Sequence, residues 1–210
     1  MLRALFLKAC RLYEGADTIY AHTLENLSKL FPPESPDHKK YLADLQLKLS
    51  GVYLCTKLSR KATELIEQTL PIQRTSVPPD HPSIFRTELK LAKIYRRSAQ
   101  YERAINILES VLSRLRNILP KTDPDLLVPT FELARCYFCI GKLGKTIELL
   151  EHLAKLASEW GDASPDELLQ HLALEAKRCI PLLKQQLDNS NGTRQQTRDI
   201  ETDLAVDVDV

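Results

Sequence analysis

Apolar residues recur along this chain at helical spacing, and the whole pattern then repeats. Leu49, Leu91 and Leu133 stand 42 residues apart, and so do Tyr53, Tyr95 and Tyr137. The same interval separates Ala62, Ala104 and Thr146, and again Ile66, Leu108 and Leu150. Pro82 and Pro124 keep it too, and Lys57, Ala99 and Gly141 mark the same break between apolar stretches. Several independent series in one register define a unit of two helices joined by a tight turn. In the first helix, Leu91, Ala92 and Tyr95, or Leu133, Ala134 and Tyr137, share one face because i, i+3 and i+4 lie together. In the second, Ala104, Leu108 and Val111, or Thr146, Leu150 and Leu153, do the same. The small residue at 104 predicts close approach of a neighbouring helix, and Tyr95 is the bulk that fills the wedge between helices.

The spacing predicts helices over about 2–14 and 16–31, 37–55 and 59–75, 82–97 and 101–118, 124–139 and 143–159, with a last one over 165–186. The units are about 1–34, 35–78, 79–120 and 121–162, and the helix 165–186 caps them. The first unit is irregular. Leu7, Gly15, Leu24 and Leu27 keep the register, but Arg11 stands where tyrosine is expected, and inserting one residue to set Ala21 opposite Ala62 improves the fit. Ser164-Pro165-Asp166-Glu167 is a strong helix start, with a capping hydroxyl, proline at the first position and acids on the positive end of the dipole. Pro181 predicts either a kink there or an end near Cys179. Residues 187–210 turn polar and acidic and read as a disordered tail.

The segment from Asp80-His81-Pro82 through Val111, with Ala99-Gln100-Tyr101-Glu102-Arg103-Ala104 at its turn, resembles the tetratricopeptide repeat (TPR) family. The 42-residue period, with Ser35-Pro36-Asp37-His38 and Thr122-Asp123-Pro124 at comparable junctions, is similar to the long repeats of kinesin light chains. The resemblance covers roughly residues 1–186. It implies an all-α fold, a right-handed α-solenoid of about four helix pairs plus the capping helix. It also implies a scaffold or adaptor that binds a segment of another protein in a concave groove lined by the first helices. On that register the groove positions are Arg86, Lys90, Lys93 and Arg97 in the third unit, with Phe131, Arg135 and Phe138 from the fourth and Asp44, Leu47 and Lys48 from the second. Cations flanked by aromatics suit an acidic peptide with apolar anchors. Relatives that capture chaperone tails use Lys and Asn from successive units, a pattern that Leu5, Ala9 and Lys48 break here. Similar long repeats sit at the C-terminal end of SET- and MYND-containing lysine methyltransferases, so the alternative is a detached helical regulatory part of such an enzyme.

Composition narrows the function. Among 210 residues, 29 Lys and Arg balance 28 Asp and Glu, so nothing demands nucleic acid or a membrane surface. No run of about 18 apolar residues occurs that would span a bilayer. Five cysteines, an odd number set in apolar helical patterns, argue for reduced thiols and a cytoplasmic home. No phosphate loop, His-Glu-x-x-His or nucleophile elbow is found, so no catalysis, metal or cofactor is expected. His38 and His81 sit at equivalent junctions and read as capping or packing residues. Cys136 and Cys139, one turn apart near a helix end, suit core filling better than zinc or redox chemistry. Glu64, Glu67, Glu102 and Arg103 read as solvated outer surface. The local charge is concentrated: residues 82–103 hold six cations against two acids. Residues 199–210 alternate Asp199, Glu201, Asp203, Asp207 and Asp209 with Ile200, Leu204, Val206, Val208 and Val210, without a cation. An intramolecular contact between that tail and the third unit's cations is therefore an expectation beside the protein partner.

Overall fold

The computed structural model describes residues 15–55, 58–120, 123–160 and 167–188. Among them the elements are α1 (Ala16–Leu30), α2 (Pro36–Cys55), α3 (Ser59–Ser76), α4 (Pro82–Arg97), α5 (Tyr101–Ile118), a 3-10 turn (Pro124–Leu126), α6 (Leu127–Cys139), α7 (Leu143–Trp160) and α8 (Glu167–Asp188). No strand occurs among the described residues. The expected helix 2–14, the Lys57 turn, the Ser164-Pro165 helix start and the tail beyond Asp188 lie outside them. The chain divides into two compact units, residues 1–100 and 101–210. In the first, α1 packs on α2, α2 on α3 and α3 on α4; in the second, α5 packs on α6, α6 on α7 and α7 on α8.

The sequence period is also the packing period. Ala62, Ala104 and Thr146 are fully buried, and so are Ile66, Leu108 and Leu150. Tyr53, Tyr95 and Tyr137 are buried, as are Leu49, Leu91 and Leu133. Each fully buried Ile or Leu contributes about 1.5–3 kcal/mol through removal of its surface from water. The backbone repeats as well. The amides of Leu58, Gln100 and Lys142 donate to the carbonyls of Tyr53, Tyr95 and Tyr137 at 2.8, 2.8 and 2.9 Å. In the second and third turns the residue before that donor adopts the left-handed conformation, Ala99 at φ 57° and Gly141 at φ 75°. This is the six-to-one closure that ends a helix on a left-handed residue.

Helix starts repeat with equal regularity. Ser35 Oγ accepts from the amide of His38 at 3.1 Å, His81 Nδ1 from the amide of Ser83 at 3.2 Å, and Asp123 Oδ1 from the amide of Asp125 at 2.9 Å. Each cap is followed by a proline, whose missing N–H is an orphan in the first turn anyway. His38 is buried, and its Nδ1–H donates to the Phe31 carbonyl at 3.2 Å, so the two histidines do pack and cap the junctions.

Each of the two later tyrosines is also held at its hydroxyl. Tyr95 donates to Glu67 Oε1 at 2.7 Å and Tyr137 donates to Glu109 Oε1. In both cases the acceptor lies 28 residues earlier, on the helix packed before it. Lysines eight residues on cover two of the rings: Lys61 Nζ is 5.3 Å from the Tyr53 centroid and Lys145 Nζ 4.9 Å from that of Tyr137.

Three expectations need correction. Ala21 is exposed whereas Leu27 is buried, so the first described helix keeps the uninterrupted 42-residue register. Of the two alternatives at Pro181, the end near Cys179 does not occur: the last helix runs through Pro181 to Asp188. Pro181 faces solvent, where water can satisfy the carbonyl deprived of its donor, while Leu183 two residues on is fully buried and anchors the final turns. Glu67 is exposed but accepts the Tyr95 hydroxyl, so it is more than solvated surface.

Three measurements check this packing. Ala104→Leu should overpack a fully buried site and cost about 1–3 kcal/mol in chemical unfolding. Ala99→Gly should instead stabilise by about 0.5–1 kcal/mol, because glycine takes positive φ without strain. Burial, followed by the Glu109 carboxylate, raises the Tyr137 hydroxyl from 10.0 to about 12. A group raised on folding stabilises below its free value and loses that contribution as pH climbs through the folded one. Spectrophotometric titration should show a late tyrosine component near 12, and Tyr137→Phe should diminish that component by one tyrosine.

Candidate functional site

Helix α4 concentrates positive charge, with five cations against one acid. Arg86, Lys90, Lys93 and Arg97 recur at i, i+4, i+7 and i+11, a narrow stripe along one side. The other side is core, with Ile84, Leu91, Ala92, Ile94 and Tyr95 buried. The single acid of this helix, Glu88, is buried away from the stripe, and Arg74 of α3 donates to it at 3.0 Å. The stripe is therefore not neutralised by its own helix.

The four cations are not equivalent. Lys90 Nζ donates to the Leu47 carbonyl of α2 at 3.2 Å, and Arg97 Nη2 to the Leu54 carbonyl at 3.3 Å. Donors one heptad apart on α4 thus meet acceptors one heptad apart on α2. Leu54 lies in the last turn of α2, where carbonyls lack an intrahelical donor, and that turn has no basic residue of its own. Arg97 supplies both the missing hydrogen bond and the charge that complements the helix dipole. Arg86 is exposed and Lys93 half-buried. On α2, Asp44 and Lys48 are exposed and paired at 2.9 Å, while Leu47 is buried.

The residues expected from the fourth unit sit differently. Phe131 and Phe138 are buried in one core cluster with Leu150, Leu172, Ala176 and Leu183. Arg135 is 4% exposed, pairs with the equally buried Glu132 at 3.2 Å, and lies 5.9 Å from the Phe131 ring centroid. These three side chains are packing residues rather than the wall of an open groove. The cause is α8, which joins α7 in covering the face of α6 formed by Leu127, Phe131, Ala134 and Phe138. That face has its own i, i+4, i+7, i+11 apolar spacing, which was the legible signal. The carboxylates that hold the tyrosines were missed in the sequence, although Glu25, Glu67 and Glu109 also keep the 42-residue interval.

Cys136 is buried but Cys139 is exposed, so only the first of the pair fills core. Among the described residues no three His, Cys, Asp or Glu side chains gather as a metal site requires, and no helix is long and apolar enough to cross a membrane. Removing one partner of the buried pair in α6 should be strongly destabilising: Arg135→Ala takes a buried charge partner from Glu132 and should cost about 3–5 kcal/mol. Arg86→Ala, on the exposed stripe, should stay within about 0.5 kcal/mol of the parent. Denaturant midpoints of the two variants check the contrast.

Comparison with solved structures agrees with this architecture. The chain is similar to a kinesin-light-chain-type protein of Podosopora anserina with nearly identical TPR-like repeats, at 23% identity and a TM-score of 0.60, over 97% of this chain and 92% of that one. A single-substitution variant of that protein gives 24% identity and a TM-score of 0.61, over 96% and 94%. BtubC (BKLC) from P. vanneervenii gives 15% identity and a TM-score of 0.65, over 87% and 76%. No family model matches the sequence, and no curated protein matches it. In fold the chain is a TPR-like repeat protein, an all-α member of the α-solenoid class.

Proposed function

We propose that this protein is an adaptor that binds an acidic segment of another protein along the cationic side of α4. The observation that carries the reading is the stripe Arg86, Lys90, Lys93 and Arg97, whose only same-helix acid is buried and engaged elsewhere. A helix that buries one side and sets cations at every turn of the other offers a rigid, linear row of donors. Charge-assisted hydrogen bonds to carboxylates are the strong class of such contacts. Lys90 and Arg97, whose ends reach the α2 backbone, stiffen the platform. Exposed Arg86, with half-buried Lys93 two turns on, presents the row to the ligand. The TPR-like neighbours support a scaffold role, and the free thiols of Cys136 and Cys179, both buried, suit a cytoplasmic protein.

The test replaces the two ligand-facing cations and spares the two that hold α2. Partners recovered by affinity purification with the parent chain are measured against Arg86→Glu with Lys93→Glu. Two charge-assisted bonds of about 1.5 kcal/mol each correspond to a loss on the order of a hundredfold. Binding by the parent should also weaken as salt screens the row. Affinity unchanged in the double variant, with its helical circular dichroism intact, places the partner site elsewhere.

A further inference from the structure

The outer face of α8 is built unlike the outer face of a solvated helix. Leu174 is 62% exposed and Leu182 39%, and Pro181 is exposed between them. Lys177 and Lys184 border this apolar line on one side and Arg178 runs along it. Two of these cations already meet acids: Arg178 lies 3.6 Å from Glu175, which is itself buried, and Lys184 pairs with Glu151 of α7 at 2.6 Å. Lys177 is exposed, and no acid among the described residues pairs with it. Pro181 adds a backbone feature, since it has no N–H to give the Lys177 carbonyl four residues earlier. An apolar line, bordering cations and a carbonyl without an intrahelical donor thus share one exposed face of the last helix.

We infer that this face is the docking surface for the chain's own residues 199–210. Those residues alternate. Ile200, Thr202, Leu204, Val206, Val208 and Val210 fall on one parity, and Asp199, Glu201, Asp203, Asp207 and Asp209 on the other, where Ala205 is the one neutral residue. Laid out as an extended strand, the segment has one apolar edge and one acidic edge. From Leu204 to Val208 the apolar edge runs about 13 Å at 3.3 Å per residue. From Leu174 to Leu182 the helix rises about 12 Å at 1.5 Å per residue. The two lines match in length. Long lysine and arginine stems can bring their charges around to the acids while their methylenes lie along the valines. A strand N–H can take the carbonyl that Pro181 leaves open.

The tether keeps the segment close to this site. Residues 189–198 follow α8 directly and reach at most about 35 Å, more than the length of the face. At the millimolar effective concentration of a short tether, a segment of millimolar affinity covers the face about half the time. Lys90 and Arg97 of α4, in contrast, already serve α2 carbonyls.

Hydrogen exchange of the full chain, compared with a chain ended at residue 198, tests the inference. Truncation should speed exchange across 171–185 about twofold or more, since protection scales with one plus the ratio of effective concentration to Kd. The effect should shrink in high salt. Leu174→Asp, an exposed change that leaves the fold intact by circular dichroism, should reproduce it in the full chain. Adding the synthetic peptide 199–210 to the truncated chain should restore protection at 171–185 and not at 82–97. Protection lost at 82–97 instead assigns the segment to α4 and overturns the proposal. No change at either place leaves the face to water and overturns it equally. A twofold effect that vanishes on dilution of the full chain means that a second copy occupies the face, which also overturns the intramolecular contact.

Discussion

One contact carries the architecture: the ring of the tyrosine near the end of each first helix. Tyr95 and Tyr137 each close a six-to-one turn with their own carbonyl, bury the ring, and hand the hydroxyl to a glutamate of the preceding helix. A single residue thereby ends its helix, fills the wedge and ties one helix pair to the one before. In repeat proteins the interface between neighbours supplies much of the stability, because one pair alone cannot bury its apolar faces. The tyrosine concentrates that coupling at one position. The small residues Ala62, Ala104 and Thr146, all fully buried, recur once per repeat with it, as close helix packing around a bulky ring requires.

Charge serves two ends here. Some cations and acids are drawn into the frame: Glu88 with Arg74, Glu132 with Arg135, Lys90 and Arg97 with the α2 backbone. Breaking the Glu132–Arg135 pair, buried at both ends, is costly because a charge inside the protein loses that partner. Others stay at the surface, and exposed Arg86 is the plainest case. A stripe that looks uniform in sequence is thus divided between frame and surface. The near-zero net charge of the whole chain conceals this, since recognition depends on where the charges are turned and not on their sum.

The helices, their order and their turns were legible because each obeys a local rule. Apolar spacing set the helical faces, proline after a capping residue set the starts at Ser35, His81 and Asp123, and the 42-residue interval fixed one register for the second, third and fourth units. Even Ala99, standing where a glycine is usual, was readable as the turn residue. The site was only half legible. Arg86, Lys90, Lys93 and Arg97 do form one stripe, as their spacing required. Phe131, Arg135 and Phe138 are buried instead of lining a groove, because helical periodicity tells which residues share a face but not what covers it.

That last decision belongs to tertiary structure. Covering the face of α6 depends on α8, whose described residues start at Glu167, far along the chain from the end of α6 at Cys139, and the apolar spacing of α6 marks the face without naming the helix that covers it. The hydrogen bonds of Lys90 and Arg97 likewise join residues 43 positions apart, and they appear only once α2 and α4 lie side by side. The sequence by itself determined the repeat, the helical faces and the turn chemistry, because these follow from neighbours within a few residues. Which cations became struts, and which aromatics became core, was decided by packing between distant helices, since burial is a property of the assembled fold and not of any segment in it.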